Sequence, residues 1–281
     1  RPVILSVTAI VTCVLAELLA ELVLHLKLTG RDLSAVVTGL SIALLLPASA
    51  PLWLPILGGI FAVAVAAVPF GGLKRTPFHP AAAAAVFLII CWPTRFFAYP
   101  TLQLGFPLPL FGRLSFTVAE SPASILKMGG VPNTPLRDLL LGYAPGPMGA
   151  AMVLIVLACL IYLCIRKITS PLVTVSCIFA AGLFAMCFPR TAATGLTAAG
   201  YELLSGSLIF VAVFLLADRR TAPKHWIAQL IYGFSAGLVC MLLRYFGPYE
   251  QAGCVAVLIA NLYARPLDLW VWSKTRKEVQ G

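Results

Sequence analysis

The feature that most constrains this chain is a succession of long apolar runs. Nine such segments can be counted, near residues 3–26, 34–47, 52–69, 79–96, 149–166, 170–188, 206–217, 226–246 and 251–268. A helix needs roughly 20 residues to cross the hydrocarbon core of a bilayer. Charged residues make up only 11% of the 281 residues, against about 25% in soluble domains. We therefore expect an all-α polytopic membrane protein, and exclude a water-soluble enzyme, a disordered tail and a nucleic-acid-binding domain.

One long connector divides the nine segments into two groups. Residues 1–96 are expected to form a first transmembrane half, 97–147 a loop, and 148–281 a second half. The short segments 34–47 and 206–217 open with similar sequences, T-G-L-S-I and S-G-S-L-I. Paired short, glycine-bearing segments are typical of inverted-repeat membrane proteins. With a tenth helix before residue 1, the chain would form two inverted five-helix halves; chance similarity is the alternative.

The cationic residues of the connectors predict the orientation of the chain. Connectors after odd-numbered segments hold twelve Lys and Arg residues, and those on the other side hold six. Because cytoplasmic loops carry the excess of Lys and Arg, the C-terminus is expected in the cytoplasm and the 97–147 loop outside. The net charge of +10 then serves topology and contact with lipid headgroups.

Acidic residues in or beside the apolar segments are candidates for function, because burying a charge in a membrane is costly. Glu17, Glu21 and His25 recur every four residues and share one helical face. They are interpreted either as a protonatable stripe on an ion path or as a polar face paired with neighbouring helices. Asp218 stands at the membrane edge, where a salt bridge to its neighbours is the simpler explanation.

A cytoplasmic connector between the third and fourth segments reads G-G-L-K-R-T-P-F-H-P-A, residues 71–81. Its two glycines permit unusual backbone angles, and Pro80 is suited to start the next helix. Thr76 and His79 are polar groups that could contact a cofactor there. An ordinary reverse turn is the alternative.

The long loop contains a predicted helix start at Thr134. Thr134 followed by Pro135 has the pattern of an N-cap and a first helical residue, and leucines from Leu136 onward predict a short amphipathic helix. Capping alone explains the threonine. The same geometry suits a phosphate, because free N–H groups and the helix dipole stabilise an anion.

Self-contained catalysis has no candidate residues in this sequence. It contains no Walker A loop, dinucleotide-binding glycine fingerprint, H-E-x-x-H motif or recognisable Ser/His/Asp arrangement. No two of the eight cysteines have the C-x-x-C spacing of a metal or redox site. We therefore predict neither a catalytic residue nor a metal site.

Four stretches, in order, resemble the RnfD family of Rnf electron-transport complexes, which is related to the NqrB component of the sodium-pumping NADH:quinone reductase. The sequence S-A-V-V-T-G-L-S-I-A-L-L-L-P at 34–47 is similar to the family's S-A-x-V-T-G-L-L-L-A-x-x-L-P, and the turn at 71–81 to its G-G-L-G-x-N-P-F-N-P-A. Residues 203–223 are similar to a glycine-rich span ending A-T-D-P-x-T-A-P. Residues 246–268 are similar to F-G-x-Y-x-x-G-x-x-F-A-V-L-x-x-N.

The resemblance implies flavin cofactors. Family members carry FMN joined through its phosphate to a threonine in S-G-A-T-P-L, and hold riboflavin non-covalently. The T-P-L of that motif falls on Thr134, Pro135 and Leu136. Here Val-Pro-Asn precedes the threonine, so covalent FMN, non-covalent FMN and absence of FMN stay open. The remaining expected cofactor contacts are Arg137, Gly129, Gly130, Thr76 and His79.

The resemblance implies a subunit of an ion-translocating oxidoreductase in a bacterial or archaeal cytoplasmic membrane. Such a chain passes electrons through flavin, couples them to Na⁺ or H⁺ movement, and is not active alone. Its partners are the other complex subunits and the bilayer; ferredoxin and NAD act through those subunits. One alternative is a secondary transporter with Glu17, Glu21 and Asp218 as coupling carboxylates. Another is a flavin-free scaffold subunit.

Overall fold

The computed structural model describes residues 1–24, 33–73, 75–101, 117–191 and 195–280. Within these ranges the chain is helical, and its β-pairing is limited to isolated bridges. The helices are α1 (Pro2–Leu24), α2 (Ser34–Leu45), α3 (Trp53–Ile60), α4 (Pro80–Cys91), α5 (Pro93–Phe96), α6 (Pro122–Lys127), α7 (Leu136–Leu141), α8 (Val153–Ile165), α9 (Pro171–Cys187), α10 (Gly195–Leu204), α11 (Leu208–Phe210), α12 (Trp226–Phe246) and α13 (Gly253–Gln280). Helix α3 continues as a π-helix over Phe61–Val65, and α11 over Val211–Leu216.

Each of the nine predicted segments contains an apolar helix. In the described part of the chain, four helices are long and apolar enough to cross a membrane: Pro2–Val23, Trp53–Phe70, Trp226–Phe246 and Gly253–Lys274. Helices α2, α4, α8 and α9 are apolar but shorter. The prediction of an all-α polytopic membrane protein is confirmed at this level.

The seventh segment differs from its prediction as a short, isolated helix at 206–217. It is the second limb of a broken helix, in which α10 and α11 meet at an angle of 65°. The break occurs at Gly206, whose φ is +74°. Because glycine lacks a Cβ, it adopts this left-handed conformation at little steric cost. The segment looked short because Gly195–Leu204 is less apolar and contains Glu202.

Close helix packing in both halves depends on glycine. Helix α1 packs against α2 and α3, and a Cβ at Gly39 of α2 would lie 2.7 Å from the Ala9 carbonyl oxygen of α1. Helix α9 packs against α10 and α12. Gly233 and Gly237 of α12 form a G-x-x-x-G motif, and a Cβ on either would collide with the backbone of α9 at Val173 or Cys177. Such motifs let helix backbones approach within a membrane.

The connectors gather at two opposite ends of the bundle. At one end, the residues that follow the π-helix of α3 lie beside the start of α9 and residues 217–221, with Thr169 bridged to Asp218. At the other end, the long loop is tied to the α12–α13 connector. Ser121 donates to the Glu250 carboxylate, and Lys127 donates to the Pro248 carbonyl. Burial raises the pKa of Glu250, which the Ser121 hydrogen bond partly opposes.

We predict that Gly237→Ala lowers the thermal stability of the purified protein, because the methyl group forces α12 away from the Cys177 carbonyl of α9. The matched control is Gly182→Ala within α9, whose added Cβ meets only a Leu203 methyl group at 3.4 Å. That control should be neutral or stabilising by up to about 1 kcal/mol, since alanine is the better helix former. Equal melting temperatures for the two variants would contradict this account of the packing.

Candidate functional site

A cavity of about 340 Å³ lies at one end of the bundle, between elements of the two predicted halves. Helix α2 contributes Ser34 and Thr38, and the turn before α4 contributes Thr76 and His79. The second half contributes the start of α9 and residues 214–221. Its volume falls in the range of roughly 300–1,000 Å³ that is usual for small-molecule sites. The described structure thus brings together Thr76, His79 and Asp218, which sequence reasoning treated separately.

His79 and Asp218 form the polar centre of this cavity. The turn holds His79 as the N-cap residue of α4, which begins at Pro80 as predicted. Its Nε2 lies 3.8 Å from Asp218 Oδ2, so the two form an ion pair whenever the imidazole is protonated. Asp218 Oδ1 also accepts the backbone N–H of Arg220, at 3.1 Å. The predicted salt bridge of Asp218 therefore has His79 as its partner.

The protonation of His79 is set mainly by burial. Loss of solvent lowers the pKa of the imidazole below its ordinary value, the Asp218 carboxylate opposes this, and the Arg220 cation adds to it. The net direction is downward, because desolvation disfavours the charged ring more than one partly exposed carboxylate favours it. The imidazole is therefore neutral at pH 7.

Two buried polar atoms of cavity residues lack a hydrogen-bond partner within the described structure. They are Nδ1 of His79 and Oγ1 of Thr169. Buried polar atoms are almost always paired, because an unpaired one costs about 1–3 kcal/mol. Thr38 and Thr76, by contrast, donate to carbonyls one helical turn earlier, Ser34 and Leu73. A ligand with a donor for each orphaned atom would satisfy the cavity.

Thr134 lies at the opposite end of the molecule, on the segment that packs α7 against α10. The prediction that Thr134 caps this helix is wrong. Helix α7 begins at Leu136, its N-cap residue is Pro135, and no side chain caps it. The Thr134 Oγ1 atom is buried and has no hydrogen-bond partner in the described structure. The hydroxyl group is therefore not consumed by the helix.

The residues around Thr134 have structural roles of their own. Gly129 adopts a φ of +81° and, with Gly130, returns its N–H to the last turn of α6, which ends that helix. Leu136 packs beside Gly200 of α10. Arg137 is exposed, and its Nε lies 3.6 Å from Asp138 Oδ1. Their predicted roles in cofactor binding stay predictions.

The acidic stripe of α1 lies on one continuous helix, as its spacing predicted. Glu17 and Glu21 are half-buried, and the Oε1 atom of Glu21 is buried without a hydrogen-bond partner in the described residues. His25 lies outside the described residues. The roles of Glu17 and Glu21 in an ion path stay predictions.

A buried ion pair holds the broken helix in place. Arg244 of α12 and Glu202 of α10 are both nearly inaccessible, and their Nε and Oε2 atoms lie 3.2 Å apart. The guanidinium also donates to the carbonyls of Glu202 and Ser205, at 2.7 and 3.3 Å, and to the Ser205 hydroxyl. These carbonyls end α10, where the intrahelical bonds stop. Arg244 therefore acts as the C-cap of the first limb.

Sequence reasoning missed the pairing of Glu202 with Arg244. Arg244 was counted among connector cations, and Glu202 stood outside the segment predicted at 206–217. The available signal was the presence of single charges beside apolar helices, which marks buried partners. Nothing in the spacing of residues 202 and 244 indicated that they pair.

Comparison with known sequences identifies the family. The sequence profile described as the NQR2, RnfD, RnfE family matches residues 1–277. The chain belongs to this family. The resemblance inferred from the four motifs is thereby confirmed.

Relatives in this family are named as D subunits of redox complexes. The chain is 28% identical to that of the Na⁺-translocating ferredoxin:NAD⁺ oxidoreductase complex of Acetobacterium woodii, over 92% of this chain and 77% of that protein. It is 26% identical to that of the proton-translocating ferredoxin:NAD⁺ oxidoreductase complex of Clostridium ljungdahlii, over 93% and 80%. It is 30% identical to that of the ion-translocating oxidoreductase complex of Klebsiella pneumoniae strain 342, over 92% and 80%.

We predict that removing one partner of the buried pair, in Arg244→Met or Glu202→Leu, destabilises the protein by about 3–5 kcal/mol because the other charge is left uncompensated. Thermal unfolding of the purified protein measures this loss. The double variant should recover much of it. Arg137→Met, which removes an exposed arginine with an acidic neighbour, is the control and should change little. A melting temperature equally insensitive to all three single changes would contradict the capping role.

We predict that His79 makes stability depend on pH. Since the folded pKa lies below the ordinary value near 6.5, the unfolded chain binds more protons between those two values. The contribution is complete above about pH 6.5 and is lost as the pH falls toward the folded pKa. Melting temperatures recorded from about pH 8 to about pH 5 should fall less steeply in His79→Gln than in the wild type. Parallel curves would refute the assignment.

Proposed function

We propose that this chain is a membrane-embedded subunit of an Rnf-type ion-translocating oxidoreductase, passing electrons through bound flavin and coupling them to Na⁺ or H⁺ movement. The observation that carries the proposal is the family match over residues 1–277. The relatives are named as D subunits of ferredoxin:NAD⁺ or ion-translocating oxidoreductase complexes. The other complex subunits are then the partners, and ferredoxin and NAD act through them.

The proposed membrane arrangement has nine crossings in this chain and two inverted halves. The packing of the halves supports it, since α1 contacts α2 and α3 much as α9 contacts α10 and α12. Helix α9, with 17 residues, extends about 26 Å at 1.5 Å per residue, close to the hydrocarbon thickness. The excess of cationic connectors places the C-terminus and the His79 cavity in the cytoplasm, and the Thr134 loop outside.

The His79 cavity is the first proposed flavin site, suited to riboflavin. Its lining combines apolar walls with a small number of polar groups, the usual composition of a cofactor pocket. The orphaned atoms of His79 and Thr169 supply hydrogen-bonding capacity that the protein itself leaves unused. A bound flavin would supply reversible electron transfer. The protein would orient the ring with these groups and hold His79 neutral beside it.

Thr134 is the second proposed flavin site, as the anchor of FMN. Its hydroxyl oxygen has no intramolecular partner in the described structure, and the first turn of α7 is uncapped. Both features fit a phosphate held at that position, where the backbone N–H groups of Leu136 and Arg137 are the nearest donors in sequence. The structure therefore accommodates FMN at Thr134, either as a phosphoester or non-covalently.

The proposed ion path uses the carboxylates of the membrane region. Asp218 lies in the His79 cavity, so a cation there would sense the same electrostatic field as the bound cofactor. Glu17 and Glu21 are the other proposed members. The relatives named for Na⁺ and for protons are similarly distant from this chain, so family membership by itself leaves both ions open.

Flavin content tests this proposal directly. The complex is purified from a host with a competent flavin transferase, denatured, and inspected for in-gel fluorescence. We expect fluorescence on this chain that is abolished by Thr134→Ala and retained in Thr117→Ala, a matched loop threonine. We further expect flavin released by denaturation to decrease in His79→Ala, because that variant removes the orphaned nitrogen from the cavity.

The remaining outcomes separate the parts of the proposal. FMN that is released rather than retained, and lost only in Thr134→Ala, would replace the covalent bond with non-covalent binding. Complete absence of flavin in a complex that still assembles would overturn the electron-transfer role and leave the scaffold role. Substrate uptake by the isolated, flavin-free chain would instead favour the secondary transporter.

A further inference from the structure

A second cavity, of about 440 Å³, lies at the same end of the bundle as the His79 cavity. Its walls are the connector from Arg219 to Lys224 and the stretch of α13 from Ala264 to Leu269. Arg220 and Thr221 line both cavities. Family membership does not account for this second cavity, and its chemistry differs from that of the first.

Positive charge dominates the second cavity. Four cationic side chains line it, Arg219, Arg220, Lys224 and Arg265, and all four residues are exposed. Across the described part of the chain, none of them forms an ion pair with an acidic side chain. A cluster of like charges that lacks protein counter-ions attracts an anion.

The carboxylate of the cavity does not neutralise these cations. Asp268 Oδ2 accepts the backbone N–H of Lys224 at 3.2 Å, and Oδ1 accepts that of His225 at 2.9 Å. It therefore satisfies N–H groups at the start of α12, which begins at Trp226. Its formal charge still reduces the positive potential, leaving four cations against one carboxylate.

The surroundings place this cavity at the level of lipid headgroups. Trp226, Trp270 and Trp272 are exposed by 59%, 57% and 63%, and they flank the cavity in sequence on α12 and α13. Exposed tryptophans concentrate at the membrane–water interface. Leu269, which lines the cavity, and Leu262, two turns earlier on α13, are also largely exposed. Cations thus adjoin a surface suited to hydrocarbon.

We propose that this cavity binds the phosphodiester headgroup of an anionic phospholipid, with its acyl chains along the exposed leucines of α13. Basic pockets between transmembrane helices are known to hold such headgroups. The apolar edge favours a lipid over free phosphate, which would gain nothing from Leu262 and Leu269. The bound lipid would also hold the connector that carries Asp218, because Arg220 lines both cavities. This proposal requires a membrane-spanning chain and does not depend on flavin or ion transport.

The test measures lipid retention by the assembled complex. Complexes are equilibrated in nanodiscs of mixed dioleoyl phosphatidylglycerol and phosphatidylcholine, re-extracted in mild detergent, and analysed for bound lipid by mass spectrometry. We expect the wild type to retain phosphatidylglycerol selectively. Selectivity should fall about fivefold for each cation removed in Arg219→Gln/Arg265→Gln. The matched control, Arg166→Gln/Lys167→Gln, removes two exposed charges from the connector before α9 and should retain it.

Several results would overturn the proposal. These are equal retention of the two lipids by the wild type, equal losses in the two double variants, or displacement of phosphatidylglycerol by an equal concentration of inorganic phosphate. Loss of a neighbouring subunit with unchanged lipid retention would assign the cations to an acidic protein surface instead. If the cavity variant fails to fold, a salt titration of the wild type decides: selectivity must decline as ionic strength rises.

Discussion

Backbone hydrogen bonding in a low-dielectric environment is the constraint on which this structure depends. In lipid, every peptide N–H and C=O group must find a partner within the protein, so interrupted helices need donors from elsewhere. The chain has such interruptions in both halves, and each has a specific remedy. The carbonyls of Leu44 and Leu46, where α2 ends, accept the N–H groups of Gly149 and Met148. The carbonyls that end α10 accept the guanidinium of Arg244.

These remedies link distant parts of the sequence and so fix the relation between helices. Arg244 can reach the end of α10 only because α12 packs tightly on α9, which the glycines of α12 permit. Thr174 of α9 donates its hydroxyl to the Ala212 carbonyl within the π-helix that follows α11. The broken helix is thus held from two sides, and its second limb leads to Asp218 in the His79 cavity. Packing in the membrane region therefore positions the polar groups at its edge.

The two cavities at that edge share a connector but have different chemistry. One surrounds a buried imidazole and carboxylate, with unused hydrogen-bonding capacity. The other is open and cationic. Arg220 lines both and lowers the pKa of His79, so a change of charge in the outer cavity is transmitted to the inner one through a short stretch of backbone. This proximity gives a physical route by which membrane composition would influence the proposed cofactor site.

The sequence by itself determined the helical class, the position of every apolar segment, the helix start at Pro80 and the family. Each of these follows from local properties: hydropathy over about 20 residues, the fixed φ of proline, and the identity of contiguous motifs. The tertiary structure alone decided that His79 meets Asp218, that Glu202 meets Arg244, and that Thr134 does not cap its helix. Those facts depend on contacts between residues far apart in the chain, or on one backbone turn, which hydropathy and periodicity do not encode.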